Sequence, residues 1–596
     1  MRKYIWKRIF FSVVSLLVVV MTVMLLVYSL TDRSAIFQTD DVWNKKNLND
    51  RIIYEYSQYQ KYGYLIYETF TAYSKNKWVG VYGDAYDQSA GFNEDKDAIQ
   101  EDAAVLISKT KGSEAFETMY NKYYSDYYRT YYAEYKAILK SNGYDSKLIA
   151  QKAAENAAAS ASASAAALTA LRLSNETVDS FCRDYEGKGY SIKWLQADKY
   201  TTGKTAGRTK PGGTGYLIAV REKPVVSRLW EYIKGFFTVE TKWDVDDPEL
   251  TDRYIRFEKD PYSGLFAIVG SGTTHKYLLY FDSKFPFIHQ NWIHMNLGIS
   301  FTRYRGQEIS SVITDSQGEL KTSLQQYPAQ IGTDIWVETA SDFHTLTYNT
   351  GELSDNEKEL FNDKYTNATY RRTGLSMLGN SFIIGLIATF FQYGFGLPLG
   401  ILMARKKDTW IDKAGMGYII FFMSVPGLAY IFIFAAIGTR LLGLPYKFAN
   451  ANIRILAYIL PMASLAIPSI GGLMKWMRRY MIDQMNSDYV KFARAEGLSE
   501  REIYSTHISK NAMIPIIHGV PGNILGCLVG AIITERVYSV PGVGNLLTKA
   551  INDHDNGIII ACTVFYTTLS LTSLILGDVL MAKFDPRISF ESKGGR

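Results

Sequence analysis

Four sets of residues have types and spacings that could carry chemistry. Residues 198–205 read DKYTTGKT, close to a phosphate-binding loop, in which glycines let backbone N–H groups cradle phosphates. Asp198 occupies the place of the first required glycine, so nucleotide binding is not expected there. His289 and His294 stand five apart with no glutamate beside the first, which misses the metalloprotease spacing and points to core or interface histidines. Glu535 and Asp578 fall at the edges of apolar runs, where a carboxylate reaches interfacial water. Capping or loop contacts are expected of both, not a proton relay. Of the three cysteines, Cys182, Cys527 and Cys562, the last two fall in apolar runs, which leaves no intrachain disulfide framework for the polar region. No nucleophile triad or metal cluster can be assembled from the spacings, so enzymatic chemistry within the chain is not expected and no metal is. The chain reads as a conduit or a scaffold.

The 596 residues are 47% hydrophobic and 21% charged, and the mean hydropathy of −0.09 averages two unlike halves. With 65 Lys and Arg against 59 Asp and Glu, the net charge of +6 is small for this length and implies no nucleic-acid partner. Six uncharged stretches are long enough to cross a hydrocarbon layer about 30 Å thick, which takes about 20 helical residues: 9–30, 375–404, 414–439, 455–474, 511–534 and 557–577. Pro398, Pro426, Pro461 and Pro468 lie inside them, a placement that packed membrane helices tolerate. Basic residues decide orientation. Nineteen Lys and Arg flank one side of the six spans and five lie in the short loops of the other, which predicts both termini in the cytoplasm. The first span, with 22 uncharged residues and no small-x-small site close behind it, reads as a retained anchor and not a cleavable signal.

Residues 31–372 then lie outside the cytoplasm. Tyr120, Tyr123, Tyr124, Tyr127, Tyr128, Tyr131, Tyr132 and Tyr135 recur at three- and four-residue steps, an aromatic stripe on a helix over 115–139. Packing against a second helix is the favoured explanation over a docking face. The alanine-rich stretch 149–168, with interspersed serines, has high helix propensity and supplies a partner for a helical hairpin, with 141–145 as the turn. Strand signals follow at 215–220, 254–257, 265–269 and 276–281. The outer domain is α+β.

Residues 475–512 are too polar to span and too patterned for a loose loop. A first helix over about 488–496 ends at Gly497, where glycine takes the left-handed conformation cheaply. Leu498 and Ile503 are placed as a hydrophobic staple around Ser499 and Glu502, which have the capping-box spacing. Two short helices with a defined turn suit a lever pressed by a cytoplasmic partner, and on physics alone a hairpin lying on the surface fits equally well.

These residues carry a family resemblance. Residues 488–515, DYVKFARAEGLSEREIYSTHISKNAMIP, resemble the coupling motif of binding-protein-dependent ABC importer permeases of the dipeptide and oligopeptide branch. FGLPLGILMARKKDTWID at 395–412, ERVYSVPGVGNLL at 535–547 and DPRI at 585–588 resemble the same branch in the expected order. FPFIHQNWIHMNLGISF at 285–301, RYIRFEKDP from 253 and GSGTTHKYLLYF up to 281 are similar to Ami-type oligopeptide permease subunits of Gram-positive bacteria. The resemblance implies an α-helical polytopic membrane protein of the type I ABC importer permease fold. It would have six transmembrane helices, a first at 1–30, a large α+β extracytoplasmic domain at 31–372 between helices 1 and 2, and a permease domain at 373–590 with coupling segment 475–512.

The implied function is that of a transmembrane subunit of an ATP-driven oligopeptide importer in the plasma membrane of a Gram-positive bacterium. Its partners would be a second homologous permease subunit, two cytoplasmic ATPase subunits carrying ATP and Mg, a peptide-binding lipoprotein, the oligopeptide and membrane lipid. No cofactor is implied in this chain. Where the superfamily has Glu-Ala-Ala this chain has Lys491, Phe492 and Ala493, so the coupling role carries over only onto Ala493, Glu496, Gly497 and their neighbours Asp488, Tyr489, Arg494, Ala495, Leu498, Ser499 and Glu500. Residues 75–185 have no counterpart in the resemblance. A permease for dipeptides or nickel chelates, or a non-transporting peptide-sensing receptor, are the alternatives.

Overall fold

The computed structural model describes residues 2–30, 36–37, 40–46, 48–100, 103–195, 216–244, 250–259, 264–271, 276–282, 287–290, 292–314, 323–325, 337–339, 375–450, 455–529 and 531–584. The phosphate-loop look-alike at 198–205 and the closing DPRI lie outside the described residues, as does the side chain of His289. Contacts divide the chain into two units, 25–233 and the remainder, 1–24 with 234–596. The boundary at 233/234 falls inside the region that the hydropathy pattern treats as one outer domain.

In the 25–233 unit the expected hairpin is present. Glu114–Ser141 begins at Ser113, whose hydroxyl accepts the Phe116 N–H at 3.0 Å, and Ser146–Ser174 begins at Asp145, whose carboxylate accepts the Lys147 N–H at 3.0 Å. Between them Gly143 takes φ +75°, in the left-handed region. Tyr123, Tyr127, Tyr131 and Tyr135, four residues apart, form one buried row with ring centroids 6.0–6.2 Å apart. The alanine helix offers Ala153, Ala157, Ala161 and Ala165, also four apart and fully buried. A side chain of one carbon leaves room for the tyrosine rings, which explains the pairing of a large-residue helix with a small-residue one. The serines contribute hydrogen bonds instead. Ser160 pairs with the Tyr135 hydroxyl at 2.6 Å and Ser164 with that of Tyr131 at 3.0 Å, and the Tyr131 hydroxyl is also 3.1 Å from the Trp194 carbonyl, so these buried phenols are hydrogen-bonded. The other row, Tyr120, Tyr124, Tyr128 and Tyr132, is only half-buried, so packing accounts for one half of the stripe. An antiparallel sheet ordered Leu65–Thr69, Tyr216–Glu222, Ser191–Leu195 meets the hairpin where the Trp194 N–H donates to the Tyr127 hydroxyl at 3.2 Å.

This packing predicts a specific sensitivity. Ala161→Leu adds three carbons where no space exists and is expected to destabilise the hairpin by about 1–3 kcal/mol, whereas Ala159→Leu on the exposed face of the same helix leaves stability unchanged. Thermal unfolding followed by near-ultraviolet circular dichroism of the tyrosines separates the two.

In the other unit, Ile255–Lys259, Phe266–Gly270, Lys276–Asp282 and Phe287–Gln290 form an antiparallel meander, the first three at positions expected for strands and the fourth not anticipated. Phe237–Val239 pairs with Ile293–Met295, placing His294 with its Nε2 2.7 Å from Glu240 Oε1. The following loop is fastened by Asp555, wholly buried, whose carboxylate accepts from the Ser300 hydroxyl at 2.6 Å and from the Phe301 and Thr302 N–H groups at 3.1 Å. The same side chain accepts the Ile558 N–H at 3.2 Å and so caps the helix Asn556–Phe584.

Five helices among the described residues are long and apolar enough to cross a membrane: Ile5–Ser29, Met377–Arg405, Leu456–Met485, the run Glu500–Tyr538, and Asn556–Lys583. The stretch expected as a single span over 414–439 is instead two helices, Trp410–Ser424 and Gly427–Leu442, bent by 107°. The count is six when this pair is taken as one crossing. Pro426 makes the break because Val425 before it is extended, at φ −81° and ψ 128°, the conformation that a following proline imposes. Pro398, Pro461 and Pro468 stay inside continuous helices. Met377–Arg405 and Leu456–Met485 cross closely, since a Cβ on Gly400 would stand 2.7 Å from the Met477 Cβ and one on Gly396 would stand 3.0 Å from that of Leu473. Small residues four apart let the two backbones approach, which is how membrane helices gain contact when burial from water gives no driving force.

The two carboxylates at the edges of the apolar runs part company. Glu535 makes the expected loop contacts, to Ser381 and the Ala531 and Asn545 N–H groups, but it is buried and does not reach interfacial water as expected. Asp578 does not cap a helix: Asn556–Phe584 continues past it, and its carboxylate reaches Arg8 of the first helix at 3.1 Å, with His518 Nε2 at 3.5 Å. That expectation is corrected because the hydropathy run stops at Gly577 while the helix does not.

Candidate functional site

Asp488–Ala495 is a helix of two turns that buries only Val490 and Ala493, three residues apart on one face. Both join an apolar cluster with Ala404 at the end of Met377–Arg405, Met477 and Met481 in the last turns of Leu456–Met485, and Ile503, Ile508 and Ala512. A close-packed interior is hard to compress and passes displacement on. The helix is therefore held against the ends of three long helices by a dry contact.

Its termination is local chemistry. Gly497 has φ +84°, its N–H donates to the Arg494 carbonyl at 3.1 Å, and the Leu498 N–H donates to the Ala493 carbonyl at 3.2 Å. Those two bonds and a left-handed glycine make a Schellman ending, with Leu498 packing on the cluster that holds Ala493. Ser499 then accepts the Glu502 N–H at 3.3 Å, and Leu498 and Ile503 both pack on the cluster, as the staple requires. The expected second short helix is not a separate element. Glu500–Glu502 runs through a π-helical turn, Ile503–Ile508, into Ser509–Val529, so the turn after Gly497 leads directly into a spanning helix. A π turn carries an extra residue, which the hydropathy pattern does not reveal.

The ten residues singled out from the sequence lie together on this helix and turn. Asp488, Arg494, Ala495, Glu496, Gly497, Ser499 and Glu500 are exposed, Tyr489 and Leu498 are half-buried, and Ala493 is buried. Asp488 pairs with Lys491 at 2.8 Å, and Arg494 Nε bonds Glu500 Oε1 at 2.8 Å across the turn. Lys491 holds the Asp488 carboxyl below its usual range, and Glu500 holds the Arg494 guanidinium above its own. Being exposed, these pairs contribute little stability and more to the shape of the charged surface. The Tyr489 hydroxyl donates to Gln484 Oε1 at 2.7 Å, tying the helix to the end of Leu456–Met485.

Two features of the site are not legible in the sequence. Phe492 points away from the cluster and is 70% exposed, a large apolar side chain amid charges. Helical spacing from Val490 and Ala493 places it on the opposite face, but only the packing shows which face is buried. The second is Asp412, 4% exposed, which takes a two-pronged ion pair from Arg478, Nε to Oδ1 at 2.6 Å and Nη2 to Oδ2 at 2.7 Å. It fastens the start of Trp410–Ser424 to the same long helix that carries Met477 and Met481. The arrangement has no reactive group. What it can do is receive a push on the Phe492 face and deliver it to helix ends.

Residues 396–590 match the family model described as "Binding-protein-dependent transport system inner membrane component". The chain is 38% identical over 391 residues to the oligopeptide transport system permease protein AmiC of Streptococcus pneumoniae, a match covering 64% of this chain and 77% of that protein. It is 29% identical over 216 residues to the dipeptide transport system permease protein DppB of Bacillus subtilis, covering 36% of this chain and 69% of that one. A solved structure of the MetNI methionine ABC transporter in an inward-facing conformation covers 35% of this chain and 94% of its own at 12% identity, with a TM-score of 0.29, too low to bear on the fold.

Proposed function

This chain belongs to the binding-protein-dependent transport system inner membrane components, in their oligopeptide permease branch, and we propose that it forms half of the translocation pathway of an ATP-driven oligopeptide importer. The observation that carries the mechanism is the helix Asp488–Ala495, seated by Val490 and Ala493 on the ends of the spanning helices with Phe492 turned outward. In this reading residues 475–512 lie on the cytoplasmic side with both termini, in the plasma membrane of a Gram-positive bacterium. Residues 31–372 lie outside, where a lipid-anchored binding protein delivers the peptide, and residues 373–590 form the permease domain. A second, homologous permease subunit completes the pathway, and two ATPase subunits below carry ATP and Mg and perform the hydrolysis. This chain performs none. Closure of the ATPases moves the Asp488–Ala495 helix, and the apolar cluster passes that movement to the Met377–Arg405 and Leu456–Met485 ends, biasing a bundle with two arrangements.

Purification of the chain from its native membrane in mild detergent tests this reading. A second permease, ATPase subunits, a lipoprotein and ATPase activity should be recovered with it, and recovery of the chain alone, inactive, from conditions that preserve other membrane complexes would refute it. Within the complex, Phe492→Ala is expected to weaken ATPase-subunit retention by about 2 kcal/mol, roughly thirtyfold, as removal of a central apolar anchor does. Unchanged retention would remove Phe492 from the contact.

A further inference from the structure

Among the membrane helices, Met377–Arg405, Leu456–Met485 and Ser509–Val529 line an open cleft of about 300 Å³. Its wall is unusual for a membrane interior. Thr389, Gln392, Ser469, Asn523, Gly526 and Cys527 line it, and of the twelve lining residues only Leu465 has a large apolar side chain while none is charged. Thr389, Gln392 and Ser469 lie near the middle of their helices, far from either end. The other polar side chains of the wall have partners: Thr389 Oγ1 is 3.4 Å from Cys527 Sγ, Cys527 Sγ donates to the Asn523 carbonyl at 3.1 Å, the Asn523 amide donates to the Tyr393 hydroxyl at 2.8 Å, and the Ser469 hydroxyl donates to the Ala466 carbonyl at 2.8 Å. Gln392 is the exception, half-buried and without a hydrogen bond among the described residues. A carboxamide left unpaired in hydrocarbon is costly, and such groups occur where they face a wet cavity or a ligand.

We infer that this cleft is the chain's contact surface for the moving peptide, and that it recognises the peptide's backbone amides through neutral donors and acceptors without reading side-chain charge. The inference rests on the permease reading and deepens it. Amide and hydroxyl groups complement both the N–H and the C=O of a peptide bond, since a carboxamide both donates and accepts. No charged side chain lines the wall, and the neighbouring carboxylate, Glu535, is buried behind Ser381 and Ala531 and taken up by hydrogen bonds to them, which matters as much. In a site of low effective dielectric a single carboxylate or ammonium at contact distance would sort peptides by charge. Small residues on the rest of the wall leave room for side chains of any kind, and a wall so built passes acidic, neutral and basic peptides alike.

The test puts charge into the wall, isosterically in Gln392→Glu and on a longer side chain in Gln392→Lys. Uptake by the complete importer in cells is measured for three peptides of equal length carrying one glutamate, no charge or one lysine, with wild type, Gln392→Glu and Gln392→Lys. The same binding protein delivers all three, so only variant-to-wild-type ratios are compared. Gln392→Glu is expected to lower uptake of the glutamate peptide at least about tenfold relative to the lysine peptide, and Gln392→Lys to reverse the preference, a ratio equivalent to about 1.4 kcal/mol. Asn523→Asp, also isosteric, is the second variant should either fail to assemble, with co-purification of the other subunits as the check. Ratios unmoved in assembled variants, or all three peptides lowered alike, overturn the inference and leave the permease reading standing. A wild-type complex that imports none of the peptides overturns the permease reading itself, and the inference with it.

Discussion

Gly497→Pro is expected, in the importer proposed above, to leave the chain in the membrane and the proposed ATPase partners active, and to reduce peptide uptake at least about tenfold. Proline is held near φ −65°, whereas Gly497 sits at +84°, and proline lacks the N–H that Gly497 gives to the Arg494 carbonyl. Losing the left-handed conformation and that bond together costs about 3 kcal/mol or more, several times the thermal energy, so the turn cannot persist in its present form. Leu498 follows it, because the Leu498 N–H bond to the Ala493 carbonyl depends on the same reversal. The helix Asp488–Ala495 then loses its rigid junction with the run that begins at Glu500 and enters the membrane. Gly497→Ala isolates the backbone contribution: a Cβ there meets nothing within 4 Å, so only the conformational strain of about 1–2 kcal/mol acts, and uptake should fall part of the way. The paired measurements are ATP hydrolysis and uptake in the same vesicles. Undiminished uptake by the proline variant would mean that the turn transmits nothing.

The second large effect is expected at Glu535. Its carboxylate is 1% exposed and serves three donors: the Ser381 hydroxyl at 2.8 Å, the Ala531 N–H at 3.2 Å and the Asn545 N–H at 3.1 Å. Ser381 in turn accepts the Val543 N–H at 2.9 Å. One side chain thus organises the segment 535–547 and joins it to the start of Met377–Arg405. The segment is shaped around it, since a Cβ on Gly542 would stand 2.3 Å from Glu535 Oε2. Glu535→Ala strands two buried donors and one part-buried one, each buried donor worth about 1–3 kcal/mol when left unpaired, so a loss of about 3 kcal/mol is expected. Glu535→Gln keeps one acceptor but turns an amide N–H₂ toward donors, and should fall between. Thermal unfolding of the detergent-solubilised chain reads the order Ala below Gln below wild type. An alanine variant that unfolds at the wild-type temperature would show that water or rearrangement replaces the carboxylate.

How much of the site could be read in advance follows from where its determinants lie. The Gly497 ending, the Ser499 cap and the Leu498–Ile503 staple are set by residues within six positions of one another, and each was legible. Phe492 was not, because Val490, Phe492 and Ala493 are all apolar and the order of letters does not say which of them meets Met477 and Met481. The π turn at Ile503–Ile508 was hidden for a related reason: the register of a helix over one extra residue is settled by what it packs against.

The same division runs through the fold. The number of apolar stretches, the first three strands of the meander, the tyrosine and alanine helices with the turn between them, and the family membership were all determined by the sequence itself, through hydropathy, periodicity, capping and motif. Tertiary structure alone decided that one tyrosine row is buried and its neighbour half-exposed, since the two have the same residue type and spacing. It decided that Pro426 breaks a span while Pro398, Pro461 and Pro468 do not. It also paired Asp578 with Arg8, 570 positions away, and gathered Thr389, Gln392, Ser469 and Asn523 from three helices around one cleft. Local rules act through bonds and neighbours a few residues apart. Burial, pairing and enclosure depend on surfaces brought together from distant parts of the chain, and no window along the sequence contains both of them.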